Sequence, residues 1–175
     1  MPLVGSITSP QNDHVKLVNR LKNKKRDRYR EGQYLIEGFR LVQHALSHGH
    51  RPAFAFYTPD VAEDELGEEL ILTMAEGDSL VWQVPEGLMA EMSDTVSPKG
   101  ILAVMPMPTP DADRIRQSSY LLIIDRLRTP GNLGTILRTA LATGAGGVIC
   151  AKGTVDAYSP KVVRAGMGAH FDLPI

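Results

Sequence analysis

Two side chains suited to phosphate and hydroxyl chemistry lie close together in IIDRLRTPGNLGTILRTALATG, residues 123–144. Asn132 carries an amide that donates and accepts. Arg138, six positions on, presents a planar cationic fork. The elements around them have a definite polarity. The apolar run Tyr120–Ile124 predicts a strand buried on both faces and ending at Asp125. The Pro130-Gly131-Asn132 turn opens a helix striped by Leu133, Ile136, Leu137, Ala140 and Leu141, which Gly144 ends. The turn thus lies between a strand's carboxyl end and a helix's amino end. Ligands bind there in open α/β sheets, and the free N–H groups of a first helical turn favour anions such as phosphate. A plain structural reading also fits, with Asn132 as a helix cap or turn residue and Arg138 as an exposed helix charge. The functional reading requires Arg138 to face a pocket beside Asn132.

The rest of the chain reads as alternating strands and helices. Ser9-Pro10 is expected to cap a helix striped by Val15, Val18 and Leu21, and a second basic turn over Lys24–Arg30 is expected to stop at Gly32. Strands are expected at 34–36, 53–57, 80–84 and 101–105. Helices are expected from Phe39 to Leu46, over 61–75, and from Pro85-Glu86. Pro106, Pro108 and Pro110 cannot continue a central strand or a helix, so 107–119 reads as a short, stiff linker between domains at 1–106 and 120–175. Beyond Gly144, a strand at 147–151, a helix from Ser159-Pro160 through Arg164 and a last strand at 171–175 are expected. The fold class is α/β.

The net charge of −1 hides an asymmetry. Residues 16–30 hold eight basic side chains against Asp27 alone, whereas 52–98 hold eleven acidic residues and no Lys or Arg. A cationic edge beside an acidic body suits a polyanion, although a solvated helix face would look the same. No apolar run approaches the roughly 20 residues of a membrane span, and the head of the chain lacks the pattern of a secretion signal, so a cytoplasmic location is expected. Cys150, the only cysteine, can form no internal disulfide and reads as an inert thiol at a buried strand end. The five histidines have no zinc-like spacing with cysteine, so no metal site is expected. Neither a P-loop nor a Gly-x-Gly-x-x-Gly fingerprint occurs, which disfavours a nucleotide-binding domain of those kinds.

The stretch containing Pro130, Asn132, Gly134, Arg138, Thr139 and Ala140 resembles the first signature motif of the SpoU (TrmH-type) RNA 2′-O-ribose methyltransferases. Lys161, Val162, Arg164, Gly168 and Pro174 also fall where that family's pattern expects them. Two positions depart from it: Thr129 stands where an aspartate is usual, and Gly166 where a serine is common. The SPQN segment, the Lys/Arg cluster, Leu35-Ile36-Glu37-Gly38 and Ser97-Pro98-Lys99-Gly100-Ile101 resemble the family's accessory domain.

The resemblance implies an L30e-like α/β domain that binds RNA substrate, followed by the first part of a SPOUT-type α/β methyltransferase domain. It implies transfer of a methyl group from S-adenosylmethionine to a ribose 2′-hydroxyl, with ribosomal RNA as the expected partner and a homodimer as the expected form of the complete enzyme. Asn132 and Arg138 would be catalytic. Arg138 is expected to grip a phosphate and stabilise the developing alkoxide; its action as a deprotonated base is the second option. Lys24, Lys25, Arg26, Arg28 and Arg30 are the expected RNA contacts. The motifs carrying the family's knot and most cofactor contacts are expected after Ile175, so these 175 residues alone are expected to be inactive and to bind the cofactor poorly. The alternative is a noncatalytic RNA- or ribosome-binding module.

Overall fold

The computed structural model describes residues 3–77, 79–109 and 112–175, which leaves Met1, Pro2, Asp78, Pro110 and Asp111 outside the described residues. The chain divides into two compact units, Met1–Pro106 and Met107–Ile175. Among the described residues no helix is long and apolar enough to cross a membrane.

The first unit runs β1 (Leu3–Ser6), α1 (Asp13–Asn23), α2 (Lys25–Glu31), β2 (Gln33–Glu37), α3 (Phe39–Ser47), β3 (Phe54–Tyr57), α4 (Pro59–Glu63), α5 (Glu65–Glu76), β4 (Leu80–Gln83), α6 (Glu86–Met92) and β5 (Ile101–Pro106). Its five-stranded sheet has the order β1-β4-β3-β5-β2. β1, β4 and β3 are parallel, and β5 is antiparallel to both β3 and β2. Alternate strand side chains point to opposite faces. Leu35, Phe56, Trp82 and Val104 join Val18 of α1 and Met89 of α6 in one apolar cluster. The other face meets α3 and α5. Both faces are covered, so all four residues of β3 are buried.

Local chemistry moves some predicted boundaries. Ser9-Pro10 makes a turn rather than the cap of α1, because the Ser9 hydroxyl accepts from the Gln11 N–H at 3.1 Å. Asn12 is the actual N-cap, its side chain accepting from the His14 N–H at 2.9 Å. The acidic helix expected over 61–75 is two helices, because Asp64 leaves the helical conformation and its carboxylate caps α5 at the Gly67 N–H, 3.0 Å away. Pro106 ends β5 without interrupting it.

The second unit contains α7 (Ala112–Gln117), β6 (Leu122–Ile124), α8 (Pro130–Ala142), β7 (Val148–Cys150), α9 (Pro160–Gly166) and α10 (Ala169–Asp172). The segment expected as a linker therefore contains a short helix. β6 and β7 form a parallel pair in which Ile123 is registered with Ile149. Burial of β6 on both faces is not observed: Ile123 is 72% exposed and its partner Ile149 51% exposed, whereas Ile124 and Val148 are buried. Cys150 is half-buried rather than sealed in the core.

The final strand expected at 171–175 is replaced by α10. Met167 and Gly168 both adopt left-handed backbone, with φ of +46° and +96°, and this reverses the chain and starts a new helical turn. Only the segment after α10 lies alongside β7, where the Pro174 carbonyl accepts from the Val148 N–H at 2.8 Å.

Candidate functional site

The strand β6 delivers the chain to a loop held by backbone bonds. The Ile124 carbonyl accepts from the Ala151 N–H at 2.9 Å, and the Leu127 carbonyl from the Val155 N–H at 2.7 Å. Arg126, between them, has a φ of +54°, an uncommon conformation for a side chain of that size. Pro130 then occupies the first turn of α8, where its missing N–H costs nothing. Thr129 is the N-cap, and its hydroxyl makes no capping bond.

Asn132 is exposed in that first turn, and its side chain forms no hydrogen bond among the described residues. It is therefore not the cap of α8. Arg138 lies on the same exposed half of the helix. Six residues separate the two by about 9 Å along an ideal helix axis and about 120° around it. The buried half of α8 carries Leu133, Gly134, Leu137 and Ala140. Gly134 allows α9 to approach: a Cβ there would lie 2.4 Å from the Ala165 Cβ and 2.8 Å from the Ala165 carbonyl carbon. The motif thus separates physically into packing residues (Gly134, Ala140) and solvent-facing residues (Asn132, Arg138, Thr139).

That close approach sets the surroundings of Arg138. Its Nη1 donates to the Met167 sulfur at 3.3 Å, and among the described residues it forms no ion pair. A thioether is a weak, neutral acceptor, so it orients the guanidinium without neutralising it. Met167 is 59% exposed and sits in the left-handed turn after α9. It was not legible as a site residue. Its position between Gly166 and Gly168, just past a helix, was the available signal for a sharp turn.

Behind the turn, His170 is 1% exposed, and its Nε2 donates to the Ala157 carbonyl at 2.7 Å. Burial pushes its pKa down to about 4, so the ring is neutral at pH 7. Tyr158 packs edge-on to it at 5.5 Å, and burial pushes that phenol up to about 12. Gly166, where the family commonly has serine, makes room for this ring: a Cβ there would lie 2.8 Å from the His170 Cε1. A cavity of about 460 Å³ in this unit is lined by Gln117, Ser118, Leu141 and Gly144 among others. It lies at the carboxyl end of α8 and is lined by neither Asn132 nor Arg138.

In the first unit, the five basic residues singled out in the sequence have three different fates. Lys24, Lys25 and Arg26 are exposed and form no ion pair among the described residues. Arg30 is exposed, but it bonds Glu31 at 2.8 Å and Asp27 at 3.1 Å. The Glu31 hydrogen bond, and then the Asp27 charge, hold its guanidinium above its ordinary value. Arg28 departs from the expectation of an RNA contact. It is 4% exposed and donates to the Leu21 carbonyl and, at 3.2 Å, to the Lys22 carbonyl. These belong to the last turn of α1, where carbonyls lack helical partners, so Arg28 caps α1 and fixes α2 against it. Glu37 accepts from the Ser93 and Thr95 hydroxyls at 2.6 and 2.8 Å, which makes it the organiser of the turn after α6.

Residues 12–103 match the family described as MRM3-like substrate binding domain, and residues 119–175 match the SpoU rRNA Methylase family. The mitochondrial rRNA methyltransferase 3 of Homo sapiens is 41% identical over 154 residues, covering 85% of this chain and 36% of that protein. The 23S rRNA (guanosine(2553)-2′-O)-methyltransferase RlmP of Bacillus subtilis is 32% identical over 171 residues, covering 97% of this chain and 63% of that one. The AdoMet-bound rRNA methyltransferase of Sinorhizobium meliloti superposes with a TM-score of 0.81 at 32% identity, covering 100% of this chain and 64% of that one. The chain thus spans about one third to two thirds of the length of these relatives. With an MRM3-like substrate-binding domain joined to a SpoU segment bearing Asn132, Gly134 and Arg138, the chain belongs to the SpoU rRNA methylase family.

Proposed function

We propose that this chain forms part of an S-adenosylmethionine-dependent 2′-O-ribose methyltransferase acting on ribosomal RNA. Residues 1–106 would hold the RNA, 107–119 would connect, and 120–175 would bring the first catalytic groups. The mixed sheet between two helix layers supports the finer reading of the first part as L30e-like. The observation that carries the proposal is the state of Arg138: exposed, oriented by a neutral sulfur, and without a carboxylate partner among the described residues. A structural surface arginine gains little from such an arrangement. A guanidinium reserved for a substrate anion needs it.

Guanidinium groups keep their proton in ordinary protein settings, so the role assigned to Arg138 is electrostatic. It grips a phosphate next to the target ribose and lowers the energy of the alkoxide that develops on the 2′-oxygen. Asn132 stands in the first turn of α8, where the Gly131 and Asn132 N–H groups have no acceptor among the described residues. These donors can position a second phosphate oxygen. Lys24, Lys25, Arg26 and, less effectively, Arg30 would neutralise phosphates in the first unit. S-adenosylmethionine supplies the methyl group when bound. Asn132 and Arg138 are both exposed, and neither lines the cavity at the carboxyl end of α8. No step is therefore derived through the cofactor.

The test is methyl transfer from radiolabelled S-adenosylmethionine to ribosomal RNA, followed by mapping of the alkali-resistant linkage that a 2′-O-methyl group leaves. It should be run with a protein that carries this chain at the length of its relatives. Label at a ribose is the expected result. Label confined to bases would overturn the reaction assignment. RNA binding without transfer would leave a binding module.

A further inference from the structure

We propose that Tyr29 is a stacking platform for an unpaired base, so that the α1–α2 surface selects single-stranded over duplex RNA. This rests on the reading of that surface as an RNA face and goes beyond it by naming the form of RNA recognised.

Three features of α2 point this way. The first is which side chains share its solvent side. Asp27 and Arg28 are buried, whereas Lys25, Arg26, Tyr29 and Arg30 are exposed. An isolated exposed aromatic ring needs no explanation. Tyr29, 51% exposed, follows the exposed Lys25 and Arg26 by four and three residues, one helical turn, and the Lys25 ammonium lies over its ring, 5.3 Å from the centroid. A base that stacks on this ring takes the place of the Lys25 ammonium, which then meets a neighbouring phosphate beside Arg26.

The second feature is rigidity. Arg28 ties α2 to the carbonyl end of α1, and the buried Asp27 carboxylate bonds Arg30 at 3.1 Å. Gly32, with a φ of +63°, then stops α2 and leads into β2. The ring therefore sits on a fixed helix, and little ordering remains to oppose binding. The third is geometric selectivity. Phosphates are accessible in any nucleic acid, so lysines and arginines do not distinguish its forms. In an A-form duplex the base faces are covered by their neighbours, and a ring on a helix surface can stack only on a base that is splayed out.

The experiment uses the full chain with two fluorescein-labelled probes, a 12-nucleotide oligouridine and a 12-base-pair RNA duplex, read by anisotropy across a salt series. Tyr29→Ala is expected to weaken oligouridine binding about tenfold, leave duplex binding within about twofold, and leave the salt dependence unchanged, because no charge is removed. Tyr29→Phe should bind like the parent. Equal loss on both probes, or no loss on either, overturns the stacking proposal. Should Tyr29→Ala alter the far-ultraviolet circular dichroism, Tyr29→Leu replaces it: this variant keeps apolar bulk without a π-face and must show the same selective loss. Lys24→Gln/Arg26→Gln tests the underlying reading separately. It should weaken both probes and flatten the salt dependence by about 0.7 per lost single-strand contact. If the charge variant binds normally, the RNA-face reading falls; if it weakens binding while Tyr29→Ala does not, stacking alone falls.

Discussion

The two units hold their candidate functional cations in contrasting ways. In the first, α2 is fixed by an arginine spent on structure: Arg28 is buried against the Leu21 and Lys22 carbonyls, and this leaves Lys24, Lys25 and Arg26 facing solvent. In the second, α8 is fixed by the absence of a side chain. Gly134 lets α9 come to within contact of the helix backbone, and Arg138 then meets Met167 at the turn beyond α9. Both units separate the group that builds the surface from the cations exposed on it. The first does so with hydrogen-bonded charge, the second with close packing. The two should therefore fail differently when disturbed.

The largest effect is expected at Gly134. Gly134→Leu would drive a side chain into Ala165 and Gly166, and overpacking with forced helix separation should cost about 3 kcal/mol or more. Hydrogen exchange should show residues 120–175 losing protection, while the fluorescence of Trp82, the sole tryptophan and a core residue of the first unit, stays unchanged. Parallel loss in both units would show that they are not separately built.

Acid should act next, again on the second unit. The unfolded His170 takes a proton near pH 6.5, whereas the native ring, held down by burial, does so only near 4. The unfolded state therefore binds more protons between these values. The contribution is fully present above about pH 6.5 and is lost as pH falls toward 4, on the order of 3 kcal/mol at most. Urea midpoints at pH 7.5, 5.5 and 4.5 should fall less in His170→Gln than in the parent. Identical pH profiles would remove His170 from the account.

A smaller loss, about 2 kcal/mol, is expected for Arg28→Met, because two α1 carbonyls lose a buried charged donor. Trp82 fluorescence during urea unfolding should report it. Lys24→Gln should leave that midpoint within about 0.5 kcal/mol. If both substitutions destabilise equally, the division between building and working cations in the first unit is wrong.

How much of this was legible beforehand depends on whether a signal was local. The α8 stripe, the prolines opening α8 and α9, and the Gly32 stop are local, and the structure follows them. The role of Arg28 is not local. Its type matches Arg26 and Arg30, and only the folded corner between α1 and α2 selects it for burial. The outward face of β6 was misread because an apolar run records the hydrophobicity of a strand and not the number of layers around it. The last helix was misread because Phe171 to Ile175 suits a strand by composition. The two left-handed residues before it reverse the chain, and the flanking Gly166 and Gly168 were the one signal of a turn at Met167. Arg138 was legible as a candidate by residue type and spacing, but its thioether partner is 29 residues away in sequence.

The most direct test of the account is Arg138→Lys, assayed for ribose methylation in a protein of the relatives' full length. The account predicts a loss of about 100-fold or more in turnover with unchanged thermal stability, because an ammonium keeps the charge but loses the planar fork that meets phosphate and alkoxide together. Turnover close to that of the parent would contradict it and reduce Arg138 to an ordinary helix charge.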